Sequence, residues 1–232
     1  MSNEILNISE NNYDDKEIES NILFETWNYI YTPENGEYKE YYKNGQLKTQ
    51  SNFKDGKLEG ECKSWYSNGQ LKTQSNYKDG KLEGECKSWW SNGQLGIQCT
   101  YKNGILEGQY NSWYKNGQLT QERTYKYGKK HGECKEWYKN GVLRKECLYY
   151  YGKEDGEYKN WWSNGQLQTQ CIFKCGYSEG LSKSWHDNGQ LRKECVYNYG
   201  ELEGEYKTWD YNGLLVEHYI YEINSPRKTI YI

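Results

Sequence analysis

Residues 52–78 read NFKDGKLEGECKSWYSNGQLKTQSNYK, and residues 76–95 repeat most of that string as NYKDGKLEGECKSWWSNGQL. Sliding the chain along itself places Asn-Gly at 44/45, 68/69, 92/93, 116/117, 140/141, 164/165, 188/189 and 212/213, a spacing of 24 residues without an insertion. Two further glycine series keep the same period, from Gly36 to Gly204 and from Gly56 to Gly200, and of the 24 glycines only Gly96 lies outside all three. A strict period of this length marks a stacked array, in which no unit buries its apolar face alone.

Each unit holds two strand-like stretches, such as 60–67 and 70–78, joined by Asn68-Gly69, a strong short-range hairpin signal. The second stretch alternates: Leu71, Thr73, Ser75 and Tyr77 share one face, and Gln70, Lys72, Gln74 and Asn76 the other. Down the array this gives a leucine column, Leu47, Leu71, Leu95, Leu119, Leu143, Leu167, Leu191 and Leu215, and an aromatic column from Phe53 to Tyr221. The first stretch adds a third column, Tyr41, Trp65, Trp89, Trp113, Trp137, Trp161, Trp185 and Trp209, with rings such as Tyr66, Trp90 and Tyr138 beside it. Neighbours on a strand point to opposite faces, so both faces carry rings.

The turn decides which ring meets the leucines. A two-residue type I′ turn sets Tyr66 opposite Leu71, Cys86 opposite Cys99 and Cys134 opposite Cys147, and leaves the Trp65 column on the other, polar face. A three-residue loop with a left-handed Gly69 sets Trp65 opposite Leu71 and moves the cysteines out of register. The two-residue turn is the expected one, because it gathers leucines, small residues and rings on one face and pairs cysteines in two repeats.

Composition agrees with a sheet. Alanine is absent, only two prolines occur, and 26 tyrosines and 10 tryptophans are far above ordinary usage. A mean hydropathy of −1.21 leaves too little aliphatic material for a thick core, so the apolar surface is mostly amphipathic rings. The formal net charge of −3 argues against nucleic acid as a partner. The N-terminus has neither the basic start of a signal peptide nor an apolar run of membrane length, so no transmembrane segment is expected and the protein is read as soluble and cytoplasmic. Its eight cysteines are then expected to be reduced thiols packed as small hydrophobes.

In chain order, 1–19 reads as a polar, disordered tail and 20–232 as one array: a degenerate cap 20–35, eight repeats over 36–225 and a capping strand 226–232. The expected fold is all-β, an elongated single-layer antiparallel meander of consecutive β-hairpins forming a twisted rod.

On the spacing of these glycines, tryptophans and Asn-Gly pairs, over about residues 20–225, the chain resembles the MORN family in its variant type. The resemblance implies an array of β-hairpins and non-catalytic roles in scaffolding, protein contact or membrane attachment, with no catalytic residues to carry over. Some variant members are labelled antitoxin-like, and similar arrays are numerous in giant amoebal viruses, for which the compartment would be the host cytoplasm.

The residues themselves offer no competing chemistry. His131, His186 and His218 fall at different repeat positions with no recurrent nucleophile beside them and read as surface residues, and the cysteines lack metal-ligand spacing. Acids recurring at Glu59, Glu83, Glu107, Asp155, Glu179 and Glu203 read as a solvated rim. No enzyme, metal or cofactor is expected. The leading reading is a scaffold for protein–protein interaction, with the Tyr41-to-Trp209 column as candidate binding surface and end strands open to self-association. The alternatives are an aromatic-lined binder of carbohydrate, lipid head group or single-stranded nucleic acid, and an antitoxin-like inhibitor of a partner protein. Because stability in such an array is nearly a sum over repeats and interfaces, deleting 108–131 should leave a folded, shorter array by circular dichroism; collapse to a disordered chain would refute the independent-repeat picture.

Overall fold

The computed structural model describes residues 33–222 and the backbone of 228–229. The expected tail 1–19, most of the cap 20–35 and most of the capping segment 226–232 lie outside the described residues. The chain falls into two units, one ending at Gly104 and one beginning at Ile105, and no helix occurs among the described residues.

The first unit contains β1 (Gly36–Tyr41), β2 (Leu47–Lys54), β3 (Lys57–Leu58), β4 (Gly60–Trp65), β5 (Leu71–Lys78), β6 (Lys81–Leu82), β7 (Gly84–Trp89) and β8 (Leu95–Lys102). The second contains β9 (Ile105–Trp113), β10 (Leu119–Lys126), β11 (Lys129–Trp137), β12 (Leu143–Tyr150), β13 (Lys153–Trp161), β14 (Leu167–Lys174), β15 (Tyr177–Trp185), β16 (Leu191–Asn198), β17 (Glu201–Trp209), β18 (Leu215–Tyr221) and β19 (Lys228–Thr229). Each unit is an open antiparallel meander in which each long strand pairs with the next, for example β4 with β5, or β10 with β11 and β11 with β12; in the first unit both the two-residue β3 and the longer β4 pair with β2.

The Asn-Gly turn is not the two-residue turn expected. Tyr66 N–H donates to Gln70 C=O (2.8 Å) and Gly69 N–H to Tyr66 C=O (2.9 Å), which closes a three-residue loop, Ser67 to Gly69. Only Gly69 enters the left-handed region, at φ +84°. Asn68 stays out of it because its side chain is otherwise engaged: its Oδ1 accepts from Gln70 N–H at 3.1 Å, and its Nδ2 donates to Ser91 C=O in the next hairpin at 3.0 Å. The type I′ signature appears at the other end of the unit, where Asp55 and Gly56 both hold positive φ, +50° and +70°.

A three-residue loop shifts the register by one, which alone would turn every side chain to the wrong face. A bulge restores it. Pairing jumps from Trp65↔Leu71 to Ser64↔Thr73 and leaves Lys72 as the extra residue. The leucine column therefore faces Trp65 and its equivalents rather than Tyr66, against expectation. Beyond the bulge the pairing is that of a two-residue turn, with Cys86 opposite Cys99 and Cys134 opposite Cys147. The bulge residue comes to the face of Ser64 and Tyr66: Lys72 Nζ lies 5.9 Å over the Tyr66 ring, and Arg144 lies 5.8 Å over Tyr138.

The packed face is unusually small and polar. In the first unit Thr49, Ser51, Phe53, Cys62, Ser64, Thr73, Ser75, Tyr77, Cys86, Ser88, Ile97 and Cys99 are buried, with Ser64 and Thr73 hydroxyls sharing a hydrogen bond of 2.6 Å. In the second, Tyr110, Ser112, Cys134, Cys147, Cys171, Ser182, Ser184 and Cys195 are buried. Burying a cysteine or serine removes little apolar area, so strand pairing needs further help from the two edges of the sheet.

On the Asn-Gly edge, the ring after each tryptophan donates to the backbone of the next repeat. Tyr42 Oη reaches Trp65 C=O (2.7 Å) and Tyr66 Oη reaches Trp89 C=O (2.8 Å). In the second unit Tyr114, Tyr138 and Trp162 reach the carbonyls of Trp137, Trp161 and Trp185 at 2.9–3.1 Å. His186 Nε2 meets Trp209 C=O at 3.1 Å in the tautomer that carries its proton there, so this histidine is a structural latch and not the surface residue expected. Asp210 ends the series and accepts from Asn212 and Leu214 N–H of its own turn, each at 2.9 Å.

On the other edge, the recurrent acids are not a free rim. Glu59 accepts from the amide of Asp79 in the next I′ turn (2.9 Å) and Glu83 from Asn103 (2.7 Å). In the second unit Glu107, Asp155 and Glu179 accept from Tyr127, Cys175 and Tyr199. The adjacent turn glycine donates to the preceding repeat as well, as Gly80 does to Leu58 C=O (2.9 Å). Hydrogen bonds to a charged acceptor are worth about 1.5–3 kcal/mol, and these exposed ones fall toward the low end, still above the value of about 0–1 kcal/mol for exposed ion pairs. These edges, rather than surface salt bridges, therefore tie repeat to repeat. Tyr138→Phe should lower stability by about 1 kcal/mol in denaturant unfolding, and Glu179→Ala by about 1.5 kcal/mol, while Glu179→Gln, which keeps an acceptor, should lose less; no change in the first two would refute the latch roles.

Candidate functional site

The bulge that corrects the register also decides the site. Trp65 follows Ser64 by one residue, so alternation carries it to the face of Glu61 and Lys63, where it stands opposite Leu71. The first unit repeats the pair as Tyr41–Leu47, Trp65–Leu71 and Trp89–Leu95. The second repeats it as Trp113–Leu119, Trp137–Leu143, Trp161–Leu167, Trp185–Leu191 and Trp209–Leu215. The tryptophans are half-buried, each directly across the hairpin from its leucine, and Tyr41 is 57% exposed.

A polar ladder runs beside these pairs. Lys63 bonds Glu61 at 2.7 Å and Gln74 Nε2 donates to the same carboxylate at 2.7 Å; Lys87, Glu85 and Gln98 repeat the arrangement. In the second unit Lys159–Glu157 and Lys207–Glu205 are the matching pairs, at 2.9 and 2.7 Å. The hydrogen bond from Lys63 holds the Glu61 carboxyl below the usual carboxylate range, so the ladder stays ionised at neutral pH. The face thus combines amphipathic rings with fixed hydrogen-bond donors and acceptors.

Reactive groups lie on the packed face instead. In the second unit the small residues give way to an island of charge: Arg123 is 3.6 Å from Glu136, Lys145 is 3.0 Å from Glu154, and Tyr149 Oη donates to Glu154 at 3.1 Å. Lys130 lies 4.9 Å over the Tyr149 ring and Lys145 4.9 Å over Tyr158. The hydrogen bond from Cys147, with Arg123 and Lys130 nearby, brings the Cys134 thiol down to about 7 despite burial, while Cys147, as donor, is pushed up. In the first unit, burial pushes the Cys62 thiol up to about 12. Cys134 is only 1% exposed and lies among these side chains on the packed face.

The three histidines stay apart in role: His131 meets Tyr151 in a tilted contact with ring centroids 4.8 Å apart, His186 latches a repeat, and His218 lies 3.5 Å from Glu205. No group of three or more His, Cys, Asp or Glu able to hold a metal ion occurs among the described residues. Sequence reasoning missed the latch column, although its signal was present: Tyr42, Tyr66, Trp90, Tyr114, Tyr138, Trp162 and His186 all carry an N–H or O–H, and phenylalanine never occurs there.

The model of the MORN repeat variant matches residues 34–55, 58–79, 82–103, 106–127, 130–149, 154–174 and 178–199. The hairpin of β17 and β18 lies beyond these segments and keeps their register, with Trp209 opposite Leu215 and the same bulge before it. No curated protein matches the chain. No helix among the described residues is long and apolar enough to cross a membrane. MORN repeats are a scaffold type associated with contact to proteins or membrane lipids. The seven matches cover more than half of the chain, which belongs to the MORN repeat variant family.

Proposed function

We propose that this chain is a non-catalytic scaffold that binds a protein partner through its tryptophan–leucine face. The observation that carries the reading is the repetition: the same half-buried ring and its leucine recur from hairpin to hairpin, with a glutamate–lysine pair beside them in most, and among the described residues no hairpin of this face is singled out as a reaction centre would be. Tyrosine and tryptophan dominate interface hot spots, and repeated equivalent contacts add avidity without new chemistry. The glutamate–lysine ladder alternates in sign, which suits the mixed surface of a protein better than a uniformly anionic membrane or polyanion. A reducing, cytoplasmic location fits this reading, since it would keep the facing cysteines as thiols.

The substitution pair Trp137→Ser and Trp161→Ser tests the reading, because the latches from Tyr114 and Tyr138 use backbone carbonyls that both changes leave in place. Affinity capture from host extract, compared by mass spectrometry, should show a specific protein reduced at least about tenfold with the double variant, which corresponds to about 1.4 kcal/mol, at unchanged circular dichroism. Equal capture by both forms would overturn the proposal, as would tryptophan fluorescence that responds to soluble polysaccharide or anionic vesicles and not to the captured protein.

A further inference from the structure

The I′ turns of the second unit carry an anomaly that the tryptophan face does not explain. In the first unit the leading turn residue is Asp55, Asp79 or Asn103, types that tolerate the left-handed region. In the second unit the same position holds Tyr127, Tyr151, Cys175 and Tyr199, at φ +52°, +47°, +52° and +47°. A bulky ring in this region is strained, and the first unit shows that the turn is built without it. Strain that folding does not require points to function.

The rings are also displayed. Tyr127 and Tyr199 are 68% and 69% exposed, and Tyr150 and Tyr177 join them on the same edge. Lysines stand among them at three of the four turns: Lys126 directly opposite Lys129, Lys153 opposite Tyr150, and Lys174 opposite Tyr177, whereas the Tyr199 turn has Glu201 opposite Asn198. Lys126 Nζ lies 5.8 Å over the Tyr127 ring and 6.0 Å over Tyr151. Directly opposed like charges are unfavourable. In the first unit Asp55 and Asp79 sit in the turns between equivalent lysines and offset them, and tyrosine removes that offset. The nearby carboxylates of Glu107, Asp155 and Glu179 are tied to turn amides. Between the turns at 151–152 and 175–176 lies an open concavity of about 530 Å³, lined by Tyr149, Lys153, Glu154, Cys175 and Tyr177, with the Glu154 carboxylate already held by Lys145 and Tyr149.

Pitch narrows the occupant. Turns on one edge recur every second strand, about 9.6 Å apart. A polyproline II helix repeats every three residues, about 9.3 Å, and is the backbone form that exposed aromatic grooves select. Acidic residues at every third position would place one carboxylate per turn beside the lysines. We infer that the turn edge of the second unit is a docking surface for an acidic, proline-rich segment of a partner protein, held in polyproline II form by tyrosine contacts and lysine charge. This surface is separate from the tryptophan face and does not depend on it.

The test uses the full chain and a fluorescent synthetic peptide of repeated Glu-Pro-Pro, read by anisotropy. Saturable binding is expected, with repeated Lys-Pro-Pro, repeated Glu-Gly-Ser and a uridine oligonucleotide each at least about tenfold weaker. The triple variant Tyr127→Asn, Tyr151→Asn, Tyr199→Asn should lose at least about tenfold in affinity while melting at the same or a higher temperature, because asparagine relieves the backbone strain. The Trp137→Ser, Trp161→Ser variant should bind the peptide as the native chain does. The inference is overturned if the native chain does not bind repeated Glu-Pro-Pro saturably, if the asparagine variant binds it equally well, if the tryptophan variant loses it, or if repeated Glu-Gly-Ser or the oligonucleotide binds better.

Discussion

The constraint on which this structure depends is that a lone hairpin cannot satisfy its own ends. Each I′ turn exposes backbone amides, and each strand before the Asn-Gly loop ends in a carbonyl with no partner inside the hairpin. Both are met by side chains of the neighbouring repeat: a carboxylate on one edge, a ring with a polar tip on the other. Unmet polar groups would cost roughly as much as a lost hydrogen bond each. A period of 24 residues follows, since the donor at one position must recur where the next carbonyl waits.

The packed face could not hold the repeats together by itself. Its buried positions are mostly Cys, Ser and Thr, whose burial contributes little, and in the second unit Arg123, Lys145 and Glu154 add desolvation costs that hydrogen bonds only offset. What the small residues provide is shape. They let the bulge residue, Lys72 or Arg144, fold over the adjacent ring. That bulge in turn sends the tryptophans to the opposite face, where they meet leucine and remain half open to solvent. Packing on one face and availability on the other are consequences of the same extra residue.

The period, the hairpins and the columns were legible from sequence because glycine and aromatic residues recur at fixed offsets. The faces were legible only in part. Asn68-Gly69 reads as a type I′ turn on local propensity, yet Asn68 is committed to capping Gln70 and bridging to Ser91, and a side chain with two such duties cannot also follow the turn its dipeptide prefers. The cysteine register came out as expected by a different route, through two one-residue shifts that cancel. The acids at Glu59 and its equivalents look like solvent-facing charge in any single repeat; their amide partners lie 20 residues on, a distance that only the stacked geometry brings together. The strained tyrosines were invisible for the same reason, since φ cannot be read from a residue's name.

One repeat carries a ring at the acid position, and it offers the most direct test of the account. His131 stands where Glu59, Glu83, Glu107, Asp155, Glu179 and Glu203 carry a carboxylate and Asn35 an amide oxygen, and it meets Tyr151 through its ring, without the carboxylate bond that Tyr127, Cys175 and Tyr199 amides receive. Residue-resolved amide hydrogen exchange on the intact chain measures this difference. If inter-repeat carboxylate bonds hold the turn edge, the amides of Tyr127, Cys175 and Tyr199 exchange markedly more slowly than that of Tyr151; if all four exchange at the same rate, those bonds do not hold the array and the account fails.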